Sequence, residues 1–174
     1  SLQTTNYPTD FFIDGDGFFL VTGDGGNVKY LTRAGNFKLD ANGDLVDTRG
    51  MKVMGVEISY NNDTDSFEIG NPPITIPDPS KTSTNVGDNS INLKYVHDKA
   101  WVWNETNQQY EQPGVAPNTI EIVDYTISAD GLIEVLGSDG NKYIQPYKIA
   151  MVVVQNPEGL LKVGNSLYQF TGNA

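Results

Sequence analysis

"NFKLDANGDLVDTRG", residues 36–50, sets the reading of the chain. Two short segments, residues 36–40 and 44–47, flank the "ANGD" tetrapeptide. Asn42-Gly43 is a strong two-residue hairpin signal, because both residues reach positive φ cheaply and a type I′ turn needs that at both central positions. The stretch predicts two antiparallel strands joined at Asn42-Gly43.

The same grammar extends in both directions. Upstream, residues 18–22 form a short apolar strand that ends at "GDGG" (23–26), and residues 28–32 form the next. Downstream, "TRGMKVMGVEISY" continues the meander after Gly50. Late in the chain, residues 125–129 reach Asp130-Gly131, residues 132–136 reach Asp139-Gly140, and a third strand runs from Lys142 to Tyr147. Residues 148–154, "KIAMVVV", are the most apolar run and predict a central strand buried on both faces. Closely spaced Asp-Gly and Asn-Gly turns indicate small antiparallel sheets.

The middle differs in composition. Residues 61–90 are rich in Pro, Asn, Asp, Ser and Thr and predict loop, with an edge strand at "PITIP" (73–77). Residues 91–114 predict a hairpin that turns at "ETNQQ" and carries Trp101 and Trp103 on one face. One helix is expected. In "NPEGLLKVGNSLY" (156–168), Asn156 caps, Pro157 suits the first helical position, Glu158 favours the positive end and Gly164 ends at most two turns.

Composition narrows the partners. The 174 residues include 22 acidic and 11 basic ones, a net charge of −11, which disfavours nucleic acid and anionic membranes because the chain repels phosphate. The lack of cysteine excludes disulfides, thiolate nucleophiles and Cys-based metal sites. No apolar run approaches the roughly 18 residues that span a bilayer, and the polar start, "SLQTTNYPTD", has no Sec-type leader pattern.

Candidate chemistry is sparse. "DGDGFFLV" (14–21) alternates Asp14 and Asp16 with glycines, as a calcium loop does, but Phe18 falls where the third oxygen should stand. Starting instead at Asp40, Asn42 and Asp44 fit, while Leu45 replaces the required Gly and Met51 the required Glu. The single histidine, His97, adjoins Asp98, and neighbours on a strand point to opposite faces. The glycines at 15, 17, 23, 25 and 26 lack a phosphate-loop spacing. Carboxylate pairs for glycoside hydrolysis carry little weight in so acidic a chain. Trp101 and Trp103 are either core of a small β unit or an exposed platform for sugar or protein, as in a carbohydrate-binding or adhesin-like module, and the core reading is preferred. No catalytic, cofactor-binding or metal-ligating residues are expected, and no cofactor.

Two stretches resemble the bacterial flagellar hook and basal-body rod proteins. "FFIDGDGFFLV…YLTRAGNFKLDANGDLVDTRGMKVMG" (11–55) is similar to their first β segment, with its GDGFF opening and TRAGNF box. "YTISADGLIEV…IQPYKIAMVVVQNPEGLLKVGNSLYQFTGN" (125–173) is similar to the second, with its NPxGL…GxxLY ending. The family often has an aromatic directly before the Thr-Arg of the box, whereas Leu31 stands between Tyr30 and Thr32 here. The resemblance implies a structural hook subunit, with the distal rod as the alternative, exported by the flagellar apparatus to the cell exterior. It further implies that the subunit has no enzymatic activity and assembles with copies of itself and neighbouring axial proteins, without nucleic acid or membrane insertion. The family's terminal coiling helices are expected outside this chain, so alone it is expected to be monomeric. The resemblance further implies that Arg33 anchors a neighbouring loop, that Phe37 returns to the core, and that Leu167 and Tyr168 pack before the chain leaves.

The expected architecture is an all-β, antiparallel sandwich or barrel-like domain. Residues 1–10 form a linker, residues 11–55 and 125–173 together form one discontinuous β domain, and residues 56–124 form an inserted, smaller β subdomain.

Overall fold

β1 (Gly17–Gly23) lies at the centre, and its side chains explain why. Phe18 and Leu20 enter one apolar cluster with Leu31, Met54 and Val152, while Phe19 and Val21 enter another with Phe37, Val53, Leu93 and Ile133. A strand buried on both faces has no polar alternation to maintain, and "GFFLV" has none. Residues 148–154 also feed both clusters, Ile149 and Met151 the second and Ala150, Val152 and Val154 the first. Residues 148–154 break at Ala150 into two strands, and Val153 is 47% exposed.

A computed structural model describes residues 17–23, 28–69, 75–76, 89–154 and 156–169. After β1 come β2 (Val28–Thr32), β3 (Lys38–Leu39), β4 (Leu45–Val46), β5 (Lys52–Asn61) and β6 (Ser66–Ile69). Then follow β7 (Thr75–Ile76), β8 (Asn89–Ser90), β9 (Val102–Asn104), β10 (Gln109–Glu111), β11 (Ile122–Ile127) and β12 (Ile133–Gly137). The chain ends with β13 (Lys142–Ile144), β14 (Tyr147–Ile149), β15 (Met151–Val154), β16 (Leu161–Gly164) and β17 (Leu167–Gln169).

The architecture is all-β, as expected. A 12-stranded sheet follows the path β16-β17-β2-β1-β5-β4-β3, with β6, β8 and β14 on β5 and β15 on β1. It curls into a half-barrel. Strands from the two ends of the chain interleave: β1 pairs with β15, and β2 with β17. Among the described residues, pairings between strands are antiparallel except β7 with β15, which is parallel. A three-stranded sheet, β11-β12-β13, and the hairpin β9–β10 complete the structure. The Phe19 cluster continues from the large sheet into this second layer through Val96, Ile127 and Val135.

One loop design recurs four times. At Asp40–Asp44, Asp47–Met51, Ser128–Leu132 and Gly137–Asn141, the fourth residue is a glycine whose N–H bonds back to the first carbonyl, and the first N–H bonds to the fifth carbonyl. The glycines, Gly43, Gly50, Gly131 and Gly140, have φ of +83°, +84°, +91° and +86°. This is a type I turn followed by a left-handed glycine. In three loops the first side chain accepts the amide of the fifth residue, through Asp40 Oδ1, Asp47 Oδ1 and Ser128 Oγ. Asn42-Gly43 is therefore not the expected type I′ turn, because only Gly43 has positive φ. A two-residue turn with positive φ at both positions occurs at Asn165 (51°) and Ser166 (62°), between β16 and β17.

The expected helix at 156–164 is a single 3₁₀ turn, Pro157–Gly159, with no side-chain cap from Asn156. The residues after it extend into β16 and pair with β17. Leu160 is buried, while Leu161 is 52% exposed and Val163 39% exposed. Pairing along β17 satisfies the backbone at a lower conformational cost than nucleating so short a helix.

Candidate functional site

The main cluster of partly exposed aromatic side chains forms where two hairpins meet. β5 and β6 place Tyr60 opposite Phe67, with ring centroids 5.0 Å apart. β9 and β10 place Trp103 opposite Tyr110, 5.1 Å apart. Cross-strand aromatic pairs of this kind stabilise each hairpin. The hairpins then join: Tyr110 lies 5.1 Å from Tyr60 and 4.8 Å from Phe67. Trp101 backs the group, 5.8 Å from Phe67 and 6.4 Å from Tyr60, and its backbone exchanges two hydrogen bonds with Ile144 of β13.

Trp101 and Trp103 thus share one face, as the alternation predicts. Trp101 is half-buried and its Nε1 is buried without a hydrogen-bond partner, while Trp103 is 37% exposed at the outer edge. Both hairpins use one Asx device at their tips. Asn61 Oδ1 accepts the amides of Asp63 and Thr64, and Asn104 Oδ1 those of Thr106 and Asn107. Each loop closes on a left-handed residue, Asp65 or Gln108.

The surface here is acidic. The Tyr60 hydroxyl donates to Asp65 at 3.0 Å, and desolvation with this carboxylate raises its pKa. Burial raises the Tyr110 hydroxyl, and the charge of Glu134 adds to it. Amide donors from Asn104, Asn107 and Gln109 hold Glu111 below its usual range.

The other candidates resolve into turns and packing. Asp14 and Asp16 lie outside the described residues. Asp40 Oδ1 is occupied by the amides of Asn42 and Asp44, while Asp44 accepts from Asn92 and pairs with Lys52 at 3.3 Å. Among the described residues no group of three or more His, Cys, Asp or Glu converges. His97 and Asp98 sit at a turn and do touch, contrary to the strand expectation. Nδ1 accepts the Lys99 amide at 3.0 Å and lies 2.7 Å from Asp98 Oδ1, and the ring stands edge-on to Tyr147.

The TRAGNF segment is a bend between β2 and β3. Thr32 is fully buried and its hydroxyl accepts the Ala34 amide at 3.1 Å. The Arg33 guanidinium lies 4.4 Å from the centroid of the Phe18 ring, which also meets Tyr168 edge-to-face at 5.6 Å. Phe37 returns to the core and Leu167 is buried, both as implied. One loop is fastened by the guanidinium of Arg49. Arg49 grips Asp47 through Nε and Nη2 at 3.0 and 2.7 Å and donates Nη1 to the carbonyl of Asn165 at the β16–β17 tip.

This bend and its preceding strands coincide with a family signature. Residues 12–92 match the model described as the flagellar hook protein FlgE/F/G D1 domain. Over that stretch the chain is similar to the hook/rod family. It is 50% identical over 54 residues to the flagellar hook protein FlgE of Brucella abortus biovar 1, covering 31% of this chain and 13% of that one. It is 47% identical over 55 residues to FlgE of Helicobacter mustelae, covering 32% and 12%. It is 45% identical over 53 residues to the flagellar basal-body rod protein FlgG of Borreliella burgdorferi, covering 30% and 20%. The matched stretch thus spans about an eighth of the hook relatives' length.

The sequence reading did not single out Tyr60, Phe67, Tyr110 or Glu134. A usable signal was there: "ISYNNDTDSFEI" sets Tyr60 and Phe67 symmetrically about an Asn-Asp turn, which pairs them once the hairpin closes.

Proposed function

We propose that the chain is a β-rich part of a structural subunit of the bacterial flagellar hook, acting in motility by assembling with copies of itself and neighbouring axial proteins. The observation that carries this is the hook/rod match over residues 12–92, which includes the TRAGNF bend packed on Phe18 and Phe19. The chemistry of that bend is packing chemistry, which supports a mechanical role rather than an enzymatic one. The rod reading is second, supported by the FlgG relative. In this reading residues 11–55 and 125–173 form the family's shared β part, residues 56–124 its outward insertion, and the assembly lies outside the cell. The chain alone is a monomer.

Immunogold electron microscopy tests this on flagella detached with their basal bodies, using antibody raised against the chain. Label on the hook supports the leading reading, and label on the distal rod alone selects the second. Label on neither overturns both. Light scattering that gives a stable high-order oligomer for the isolated chain overturns the monomer.

A further inference from the structure

A cleft of about 600 Å³ opens beside the aromatic cluster, between the β5–β6 tip, Tyr110 and the β11–β12 turn. One wall is aromatic, made of Tyr60, Phe67 and Tyr110. These rings meet edge-to-face or tilted, at interplanar angles of 57° to 64°, and Trp101 backs two of them. The wall is therefore supported before any partner arrives. Leu132 and Ile144 continue the apolar lining.

The charged groups in this cleft are all of one sign. Asp65 stands at the rim, exposed, and Glu134 is half-buried inside. Among the described residues no lysine or arginine lines the cleft or forms an ion pair with Glu134. Several of the chain's cations are engaged elsewhere: Arg49 with Asp47, Lys52 with Asp44, Arg33 over Phe18 and Lys94 over Tyr95. Lys142 shares a separate, smaller pocket with Glu134 but makes no salt bridge to it. A half-buried carboxylate with no salt bridge to any described residue, beside aromatic rings, is complementary to a cation with an apolar stem.

We propose that this cleft receives a lysine or arginine side chain from a partner polypeptide, its methylene stem along Tyr60, Phe67 and Tyr110 and its charged head between Asp65 and Glu134. The volume suits one such side chain with its flanking backbone. Asp65 and Glu134 exclude phosphate and acidic peptides by repulsion. A sugar needs a broad open ring face, and here each ring gives part of its surface to its neighbours. Tyr60 and Tyr110, like any tyrosine, are neutral through the physiological range, so the wall carries no charge while the two acids supply it. The inference stands on the cleft itself and does not depend on which axial structure the chain belongs to.

The test is a titration of the intact chain with a blocked tripeptide, Ac-Gly-Lys-Gly-amide, and its arginine counterpart, followed by NMR at the Trp101 and Trp103 indoles and at Tyr110. Both peptides are expected to shift these signals saturably. Glu134→Gln is expected to weaken binding about fivefold or more, since a charge-assisted contact is lost. Glu158→Gln, an exposed site of equal charge change, should alter it by less than about twofold. The Nε-acetylated lysine peptide should bind at least about fivefold more weakly. No saturable shift overturns the proposal. So does equal weakening by Glu134→Gln and Glu158→Gln, which would reveal only general attraction to an acidic chain. Equal binding of the acetylated peptide, or tighter binding of a maltose oligosaccharide, overturns it too.

Discussion

Phe37 stands edge-on to Phe19, with ring centroids 5.0 Å apart and planes at 81°. Phe19 belongs to the doubly buried β1, and Phe37 is the residue that the TRAGNF bend sends back inside. The contact joins the bend to the centre of the fold, and both rings are nearly or fully buried. Phe37→Ala should cost about 3–5 kcal/mol, the usual loss for a buried aromatic. Urea unfolding followed by circular dichroism measures it. A loss below about 1 kcal/mol would mean that the bend is not part of the core.

The four repeated loops make a paired prediction about glycine. A Cβ on Gly50 meets nothing within 4 Å, so Gly50→Ala should pay only for left-handed backbone, about 1–2 kcal/mol. A Cβ on Gly131 lies 3.0 Å from Ile149 Cβ and 3.1 Å from its carbonyl oxygen. Gly131→Ala should therefore cost about 1–3 kcal/mol more, because a backbone oxygen cannot step aside. Equal melting temperatures for the two variants would contradict the packing argument.

Ser166 invites a stabilising change. It holds φ of +62° in the two-residue turn, where glycine carries no Cβ penalty. Ser166→Gly should raise stability by roughly 0.5 kcal/mol, and Ser166→Val should lower it by more than about 1 kcal/mol. Thermal unfolding scans decide, and the opposite order would place the strain elsewhere.

The titrating groups predict a stability plateau bounded on both sides. Burial opposes the charge of Asp130, but hydrogen bonds from Ser128 and the Leu132 amide outweigh it and lower its pKa. Asp139 behaves alike, with Tyr143 donating at 2.5 Å. A carboxyl depressed in the folded state contributes fully above its unfolded value and loses that contribution as pH falls through the folded one, so stability should drop below about pH 4. Burial raises Tyr60, Tyr110, Tyr143 and Tyr147. Their contribution is complete below the unfolded value near pH 10 and is lost as pH climbs through the raised folded values. Urea midpoints across pH, with tyrosinate absorbance recorded in parallel, test both edges. A midpoint that rises above about pH 10 would reverse the sign argued here.

Much of the fold was legible because its punctuation is local. Gly43, Gly50, Gly131 and Gly140 mark their turns through a local backbone requirement, positive φ, and strands follow on either side. Their turn type was less legible, since Asn42-Gly43 suits two geometries. The register of β3 and β4, and the reach of Asp40 Oδ1 to two amides, choose between them. The helix expected after Asn156 failed for a tertiary reason: β17 offers residues 161–164 a ladder. β1 is buried on both faces because residues 91–135 add a second layer over Phe19 and Val21. Residues 148–154 feed both clusters too, but a run of valines does not reveal the break at Ala150 or the exposure of Val153. Trp101 and Trp103 could be placed on one face by alternation, but Tyr60 and Phe67 come from another hairpin some forty residues earlier, and only folding brings them together.

β5 runs unbroken for ten residues, Lys52–Asn61, and pairs in turn with β1, β4, β8, β14 and β6. Its far end carries the aromatic hairpin, and its near end lies beside β1. A pull on the hairpin tip along the strand axis loads these ladders in shear, all at once, whereas a pull across the sheet opens one hydrogen bond at a time. The strand is therefore a strut with a preferred direction, stiff lengthwise and weak when peeled.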